Sequence, residues 1–271
     1  MKIGVVGCGA LGSFYGAKLL QAGNEVWFLL RSDYETVRQN GVVIRSYQGD
    51  FHIHPLCART PHEIGTCDWV LIGLKTTANA QFSSLVTPLV GPHTAIVTLQ
   101  NGLGNEAQLA ALFGTEKILG GLCFVCLNRT APGVIHHIDH GRVELGEYGR
   151  PPQPRTHQLA GWFRSQGVPC DVVIDLERAH WEKLVWNIPF NGLGTASCAG
   201  LAAVLRGELS PRQPLGRCLT TEELLADTGW AALVRELMLE VIQTARALGY
   251  AVPEKLADEH LDRTRTMGAY K

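Results

Sequence analysis

The sequence predicts an α/β fold, with a doubly wound parallel sheet in residues 1–174 and an all-helical domain in residues 175–271. Three observations support this prediction. A run rich in Val and Ile opens the chain and leads directly into a glycine-rich turn. Similar apolar runs alternate with helix-length segments up to residue 174, and beyond it apolar residues recur only at helical spacing.

The opening turn has the spacing of a dinucleotide-binding motif. Its candidate cofactor-binding residues are Gly7, Cys8, Gly9, Ala10, Leu11 and Gly12. Gly7 permits a tight turn, Gly9 lets the backbone approach a pyrophosphate, and Gly12 lets the following helix pack closely. The N–H groups at the start of that helix then bind the phosphates, as in a Rossmann-type domain. The alternative is a purely structural glycine turn.

The residues after the second predicted strand, 25–30, distinguish between the two nicotinamide dinucleotides. In an NAD site, an acidic residue about 20 residues past the turn receives the ribose hydroxyls. Here Arg31 and Ser32 follow the strand and suit a 2′-phosphate, since a charge-assisted hydrogen bond contributes about 1.5–3 kcal/mol. Asp33 would favour NAD if it turned inward, but we expect it to cap the helix of residues 34–39. The sequence therefore predicts NADP, bound as NADPH.

Polar residues also follow two further predicted strands, at residues 69–74 and 95–99. Lys75 comes directly after the first of these strands, and Asn101 follows the second. Ligands of open α/β sheets bind beyond the carboxyl ends of the strands, so Arg31, Lys75 and Asn101 are expected at one crevice. Taken alone, Lys75 is equally well explained as a solvated loop lysine.

Short apolar runs and turn residues predict the other elements of the sheet domain. In chain order they are a hairpin of residues 42–44 and 51–54, strands at 118–127, 134–138 and 143–145, a helix at 156–166 and a strand at 170–174. We expect the strands at 134–138 and 143–145 to be joined by a polar turn and to run antiparallel at the sheet edge.

Two groups of potential metal ligands occur in this region. Cys123 and Cys126 have C-x-x-C spacing, but they lie within one predicted strand, where their sulfurs face opposite sides of the sheet. His136, His137 and His140 fall in the predicted polar turn. Since no second ligand pair is nearby, we predict no metal site.

The composition narrows the function classes. Acidic and basic residues nearly balance, 25 against 24, and 46% of the 271 residues are hydrophobic. The hydrophobic content predicts a sizeable core. The balanced charge does not indicate binding to nucleic acid or to a membrane surface. No apolar run reaches spanning length and a strand opens at residue 1, so we expect a cytoplasmic protein without a signal peptide and with free thiols. The oligomeric state stays open, with a homodimer as one option.

Helical signals dominate the second domain. Thr220 and Glu223 have the spacing of a capping box, and residues 230–248 carry apolar side chains at helical period. Residues 210–214 read as a surface loop.

The first stretch of this domain carries the candidate catalytic residues. Lys183, Asn187 and Asn191 are spaced four apart, which places them along one helix face among apolar neighbours. Pro189 is expected to bend or end the helix, so the alignment of Asn191 depends on the helix continuing. A lysine ammonium stabilises the charge that develops on a reduced ketone oxygen and delivers a proton, while carboxamides bind substrate. Alternatively, Lys183 extends to solvent from a core helix and the asparagines cap the kink.

These residues together resemble the ketopantoate reductases (2-dehydropantoate 2-reductases), which reduce 2-dehydropantoate to pantoate with NADPH on the route to pantothenate. The resemblance covers nearly the whole chain. It rests on G-C-G-A-L-G at 7–12, L-R at 30–31, G-L-K at 73–75, Q-N-G at 100–102 and W-E-K-L-V-W-N-I-P-F-N at 181–191.

The resemblance implies a role for each matched residue. Lys183 is the proton donor, Asn187 and Asn191 bind substrate, and Asn101 contacts both nicotinamide and substrate. Arg31 and Lys75 hold the adenosine phosphate side of the cofactor. The implied fold is a doubly wound nucleotide domain followed by a helical domain, with the active site in the cleft between them.

The chain departs from the family near its end. A family segment carrying a substrate-binding serine and an active-site glutamate is expected to begin at about residues 267–271, so the chain looks C-terminally incomplete. Glu240, Glu254 and Glu259 do not sit in the matching motif. Two alternatives therefore accompany the ketopantoate reductase prediction: an enzyme acting on another small 2-keto or 2-hydroxy acid, and a non-catalytic NADP-binding sensor.

Overall fold

The protein, described by a computed structural model, forms two compact units. The first is Met1–Leu176 and the second begins at Glu177. The structure describes residues 1–207 and 216–265. The loop expected at 210–214 and the family segment expected from 267 onward lie outside the described residues.

The first unit is built on a ten-stranded sheet. Its strands are β1 (Lys2–Val6), β2 (Glu25–Leu29), β3 (Val42–Ser46), β4 (Phe51–Ile53), β5 (Leu56–Ala58), β6 (Cys67–Ile72), β7 (Val90–Thr98), β8 (Ile118–Ala131), β9 (Val134–Glu147) and β10 (Cys170–Val172). Their order is β4-β3-β9-β8-β7-β6-β1-β2-β5, with β10 also paired to β9.

Six of these strands form a parallel core with β1 near its middle. The chain moves outward from β1 to β2 and β5, then returns to the other side of β1 for β6, β7 and β8. The strand order therefore reverses at β1, which is where doubly wound sheets bind ligands. This arrangement confirms the predicted fold class.

Helices cover both faces of the sheet. They are α1 (Ala10–Gln21), α2 (Tyr34–Asn40), α3 (Pro61–Ile64), α4 (Phe82–Val86), α5 (Asn105–Phe113) and α6 (Pro154–Ser165). In β1, Val5 packs in the same apolar cluster as Phe14 of α1, whereas Val6 packs in a second cluster with Phe82 of α4. Successive strand residues point to opposite faces, so a strand covered on both sides reads as a continuous apolar run.

The hairpin predicted at 42–44 and 51–54 is confirmed, because β3 and β4 pair antiparallel. The prediction of two antiparallel strands at 134–138 and 143–145 is wrong, since both belong to β9, which lies between β8 and β3 rather than at the edge. The polar residues between them form a bulge in which Phe124 pairs with Arg142 while Val125 pairs with His140. His140 has φ 64°, and Gly141 absorbs the extra residue with φ 127°.

The described part of the second unit contains only helices. They are α7 (Leu176–Ala196), α8 (Leu201–Arg206), α9 (Thr221–Ala226), α10 (Thr228–Ala247) and α11 (Leu256–Arg265). Val185 and Phe190 of α7 share an apolar core with Val234 of α10. The predicted capping box is confirmed, since Thr220 Oγ1 accepts from the Glu223 N–H at 3.2 Å.

Helix α7 continues through Pro189 to Ala196. The proline therefore does not end the helix, although it has no N–H to donate to the preceding turn. Phe190, the residue after it, is buried in the core. None of the helices that the structure describes is both long and apolar enough to cross a membrane.

Candidate functional site

A pocket of about 900 Å³ opens in the first unit at the carboxyl ends of β1, β2, β6 and β7. Eight of the residues singled out from the sequence line it: Gly7, Cys8, Gly9, Ala10, Leu11, Arg31, Lys75 and Asn101. The predicted crevice is therefore a single cavity, because the parallel strands end at the same edge of the sheet.

The glycine turn joins β1 to α1 and lines this pocket. Gly7 has φ 96°, and a Cβ there would come within 2.4 Å of the Leu74 backbone nitrogen. A Cβ at Gly12 would lie 2.2 Å from the Gly7 carbonyl oxygen, so Gly12 packs behind the turn rather than in the pocket. A Cβ at Gly9, by contrast, would meet nothing within 4 Å. The start of a twelve-residue helix therefore faces open space, which fits a bound pyrophosphate.

The Cys8 thiol points back toward the sheet. Its Sγ donates to the Val5 carbonyl oxygen at 3.4 Å, and burial raises the pKa of the thiol well above its ordinary value. Cys8 therefore adds no negative charge beside the place where a phosphate would bind.

Asp33 does not cap α2, and that expectation is wrong. The residue occupies the N-cap position without a side-chain capping bond. Its Oδ2 instead accepts from Arg129 Nη1 at 2.6 Å, and its Oδ1 accepts from Ser32 Oγ at 2.8 Å. Burial alone would raise the pKa of this carboxyl, but the hydrogen bonds from Ser32 and Arg129 and the Arg129 charge hold the pKa below its usual value.

Two arginines that the sequence analysis missed line the same end of the pocket as Arg31. Arg59 follows the short strand β5, pairs with Glu35 and lies 4.2 Å from the ring centroid of Tyr34. Arg129 lies in β8, which extends beyond the predicted end at residue 127. Neither arginine belongs to a local motif, because pairing between distant strands brings both to the pocket.

A chain of amides fixes the loop that carries Asn101. Gln100 Nε2 donates to Asn79 Oδ1 at 2.9 Å, and Asn79 Nδ2 donates to Asn105 Oδ1 at 2.9 Å. Asn105 Nδ2 in turn donates to the Asn101 carbonyl oxygen at 3.2 Å.

Lys75 is exposed at the end of β6 and precedes the helical turn that begins at Thr76. The lysine position is thus set by its strand and the Asn101 position by this network.

The second unit carries Lys183, Asn187 and Asn191 on α7. Lys183 and Asn187 are half-buried, and Asn191 is exposed. Fully buried Val185 lies two residues from both Lys183 and Asn187, which is nearly the opposite side of an α-helix. The continuous helix therefore places the three polar side chains along one side of α7, away from Val185.

Two hydrogen bonds hold α7 against α11. Trp186 Nε1 donates to Thr264 Oγ1 at 2.8 Å, and His260 Nε2 lies 3.1 Å from the Glu182 carbonyl oxygen. Arg263 Nη2 can only donate to His260 Nδ1, so His260 Nε2 carries the proton and donates to Glu182. Burial lowers the pKa of His260 below its ordinary value. These contacts fix the backbone on both sides of Lys183.

Within the described residues, no three His, Cys, Asp or Glu side chains are grouped as metal ligands. Cys123 is buried in the sheet core, and Cys126 is half-buried further along the same strand. In β9, His137 Nδ1 lies 2.9 Å from Ser46 Oγ, and His140 Nε2 lies 3.6 Å from Asp139 Oδ2.

An open space before a helix N-terminus, at the strand reversal of a doubly wound sheet, defines a dinucleotide-binding protein of the Rossmann type. The family model described as ketopantoate reductase PanE/ApbA matches residues 3–150, and its C-terminal counterpart matches residues 175–271. The chain belongs to the ketopantoate reductase family. It is therefore an oxidoreductase of a nicotinamide-dependent family.

Named relatives agree with this assignment. A 2-dehydropantoate 2-reductase from a Nostoc strain is 38% identical over 100% of this chain and 80% of its own length. The crystal structure of 2-dehydropantoate 2-reductase from Geobacter metallireducens is 46% identical with a TM-score of 0.87, over 100% of this chain and 84% of that one. A ternary structure of D-mandelate dehydrogenase with NADH and anilino(oxo)acetate has a TM-score of 0.80 at 19% identity, over 98% of this chain and 79% of that one, and so shares the fold.

Proposed function

We propose that this chain reduces the C2 ketone of 2-dehydropantoate to give pantoate, with NADPH as the reductant. Family membership over both units carries the proposal. Relatives named 2-dehydropantoate 2-reductase are 38% and 46% identical across the full chain, so the likeness includes the helical unit as well as the nucleotide-binding sheet.

The pocket of the first unit would hold the cofactor, which supplies a hydride when bound. The turn at Gly7–Gly9 leaves room for the pyrophosphate at the start of α1. Arg31 and Lys75 hold the adenosine phosphate side, and Asn101 contacts both nicotinamide and substrate. Their position around one cavity supports these roles.

The helical unit supplies the proton and the substrate contacts. Lys183 donates a proton to the ketone oxygen and stabilises the negative charge that develops there. Asn187 and Asn191 bind the substrate with neutral carboxamides. The unbroken helix α7 supports this arrangement because it keeps the three residues in one register past Pro189.

The cofactor is NADPH rather than NADH in this proposal. Arg31 follows β2, where an acidic residue would bind the ribose of NAD, and its guanidinium suits a 2′-phosphate. One charge-assisted contact of this kind corresponds to a preference of about tenfold or more.

The test is a panel of 2-keto acids, each assayed with NADPH and with NADH, using the full chain. We expect ketopantoate to have the highest kcat/KM and NADPH to bind about tenfold or more tightly than NADH. If an aryl or aliphatic keto acid has a higher kcat/KM than ketopantoate, that acid is the substrate instead. Tight NADPH binding without turnover of any keto acid would identify a sensor instead.

A further inference from the structure

The pocket contains an acidic residue close to the position where an acidic residue selects NAD. Asp33 follows β2 by a few residues and lines the pocket, yet its side chain is only 7% exposed. Both of its oxygens already accept hydrogen bonds, one from Ser32 Oγ and one from Arg129 Nη1. The carboxylate is thus nearly buried and already bonded at both oxygens, so it offers little surface to a ribose hydroxyl.

Arg129 reaches Asp33 from a distant part of the chain. It lies in β8, 96 residues away in sequence, and its side chain is 43% exposed beside the pocket. This hydrogen bond of 2.6 Å therefore joins Asp33 to Arg129, and both residues line the pocket.

The charges at this end of the pocket depend on that pair. Arg31, Arg59 and Arg129 contribute three positive charges, against Asp33 and Glu35. Arg59 is paired with Glu35, and Arg129 is paired with Asp33, which leaves a net positive charge. Without Arg129, the two remaining arginines would balance the two carboxylates, and Lys75 would be the remaining positive side chain of the proposed phosphate site. Asp33 would also lose its arginine partner.

We propose that Arg129 is a specificity-determining positioning residue, which holds the Asp33 carboxylate away from the ribose and thereby makes the pocket accept the 2′-phosphate of NADP(H). The inference rests on the cofactor in the proposed function and extends it to two residues outside the family motifs. The paired state of Asp33 favours the phosphate, and the unpaired state favours ribose hydroxyls.

Dissociation constants measured by fluorescence titration of the full chain test the inference without any keto acid. We expect R129A to weaken NADPH binding by about tenfold or more, because it exposes a carboxylate to the phosphate. NADH binding is expected to stay within about threefold of the wild type or to tighten. Equal weakening of both dinucleotides, or no change in either, would overturn the inference.

The double variant R129A/D33N separates positioning from direct contact. It removes the unpaired carboxylate, so NADPH affinity is expected to return to within about threefold of the wild type. An affinity as weak as that of R129A would instead identify Arg129 as a direct phosphate ligand and would overturn the positioning role. The double variant also removes the buried unpaired charge, so it keeps the test valid if R129A alone unfolds.

The matched control is R45A, which breaks the Arg45–Asp50 pair of 2.6 Å on the same sheet, outside the pocket lining. It is expected to change neither dissociation constant. A wild-type protein that binds NADPH and NADH equally would contradict the proposed cofactor itself. A wild-type preference for NADPH that survives in R129A would contradict only the role of Arg129.

Discussion

Lys183 is the residue on which the proposed reaction depends. A ketone that accepts a hydride gains negative charge on its oxygen, and a nearby ammonium group both stabilises that charge and supplies the proton. Lys183 suits this role because it lies across α7 from buried Val185 and outside the apolar core. The contacts of Trp186 and His260 hold the helix on either side of it.

Replacing Lys183 with alanine is expected to lower kcat for ketopantoate by about 10²–10⁴-fold, the usual range for a positioned acid. NADPH affinity should change little, since Lys183 lies in the helical unit. The measurement is steady-state NADPH oxidation together with a binding titration. Lys255→Ala is the matched control, because that lysine is 76% exposed in the same unit. An unchanged kcat in K183A would remove Lys183 from the mechanism.

Asn187→Ala and Asn191→Ala are expected to raise the KM for the keto acid by about tenfold, the equivalent of one lost polar contact. The NADPH dissociation constant should remain within about threefold of the wild type. Exposed Gln243 on α10 provides a control carboxamide for the same truncation. A loss of cofactor affinity that exceeds the change in KM would mean that the roles of the asparagines are wrong.

At the scale of residues, the sequence predicts which residues lie at the pocket better than it predicts their hydrogen-bond partners. Gly7, Arg31, Lys75 and Asn101 could be placed around one crevice because each follows a strand that a continuous apolar run predicts. The contact of Asp33 could not be predicted, because its partner, Arg129, is brought to it by the pairing of distant strands rather than by local sequence. Contacts between distant segments leave no local pattern.

At the scale of elements, the turn between β1 and α1 is held together by close backbone packing. Gly12 lies against the Gly7 carbonyl, and Gly73 lies against Gly12 from the end of β6. This packing brings the start of α1 to the edge of the sheet where the order of strands reverses. The geometry of the phosphate site therefore depends on the absence of side chains at these positions.

Gly12→Ala is expected to weaken NADPH binding by about tenfold or more, since its Cβ would lie 2.2 Å from the Gly7 oxygen and displace the turn. The measurement is a binding titration alongside thermal unfolding. Gly161→Ala is the matched control, because that helical glycine in α6 has nothing within 4 Å of the added Cβ. Alanine there should leave binding unchanged and stabilise the helix by up to about 1 kcal/mol. Wild-type affinity in G12A would show that the close packing is not required.

Elements were predicted well where one pattern dominates and less well where two patterns compete. β2, β6 and β7 follow from continuous apolar runs. The polar residues around His140 resemble a turn, but a bulge lets β9 continue through them and keep pairing with β8. The proline in α7 resembles a helix end, but burial of Phe190 beyond it outweighs one lost hydrogen bond.

At the scale of the whole molecule, each unit contains a buried histidine whose pKa is lowered in the folded protein. Burial lowers the pKa of His137 in the sheet unit and of His260 in the helical unit. The unfolded chain takes up these protons near pH 6.5, whereas the folded protein resists them until lower pH. The unfolded state therefore binds more protons below about pH 6.5, and stability falls as the pH decreases.

Thermal midpoints measured between about pH 7.5 and pH 5 should accordingly decrease as the pH falls through the ordinary histidine pKa. The pKa of Glu147 is lowered by hydrogen bonds that outweigh its burial. The stability that such carboxylates contribute is therefore lost only at lower pH. The decrease should be smaller in H260N, which cannot take up the proton, and unchanged in H157N, where the histidine is exposed. An equal decrease in H260N and the wild type would contradict the role of His260.

The most direct test of the central claim follows the hydrogen that the reaction transfers. The full chain is incubated with ketopantoate and NADPH that carries deuterium at both C4 positions of the nicotinamide ring, and the product is analysed by NMR. The account predicts pantoate with deuterium on carbon 2, formed at a rate that falls sharply in K183A. Absence of pantoate, or pantoate without deuterium at that carbon, would contradict it.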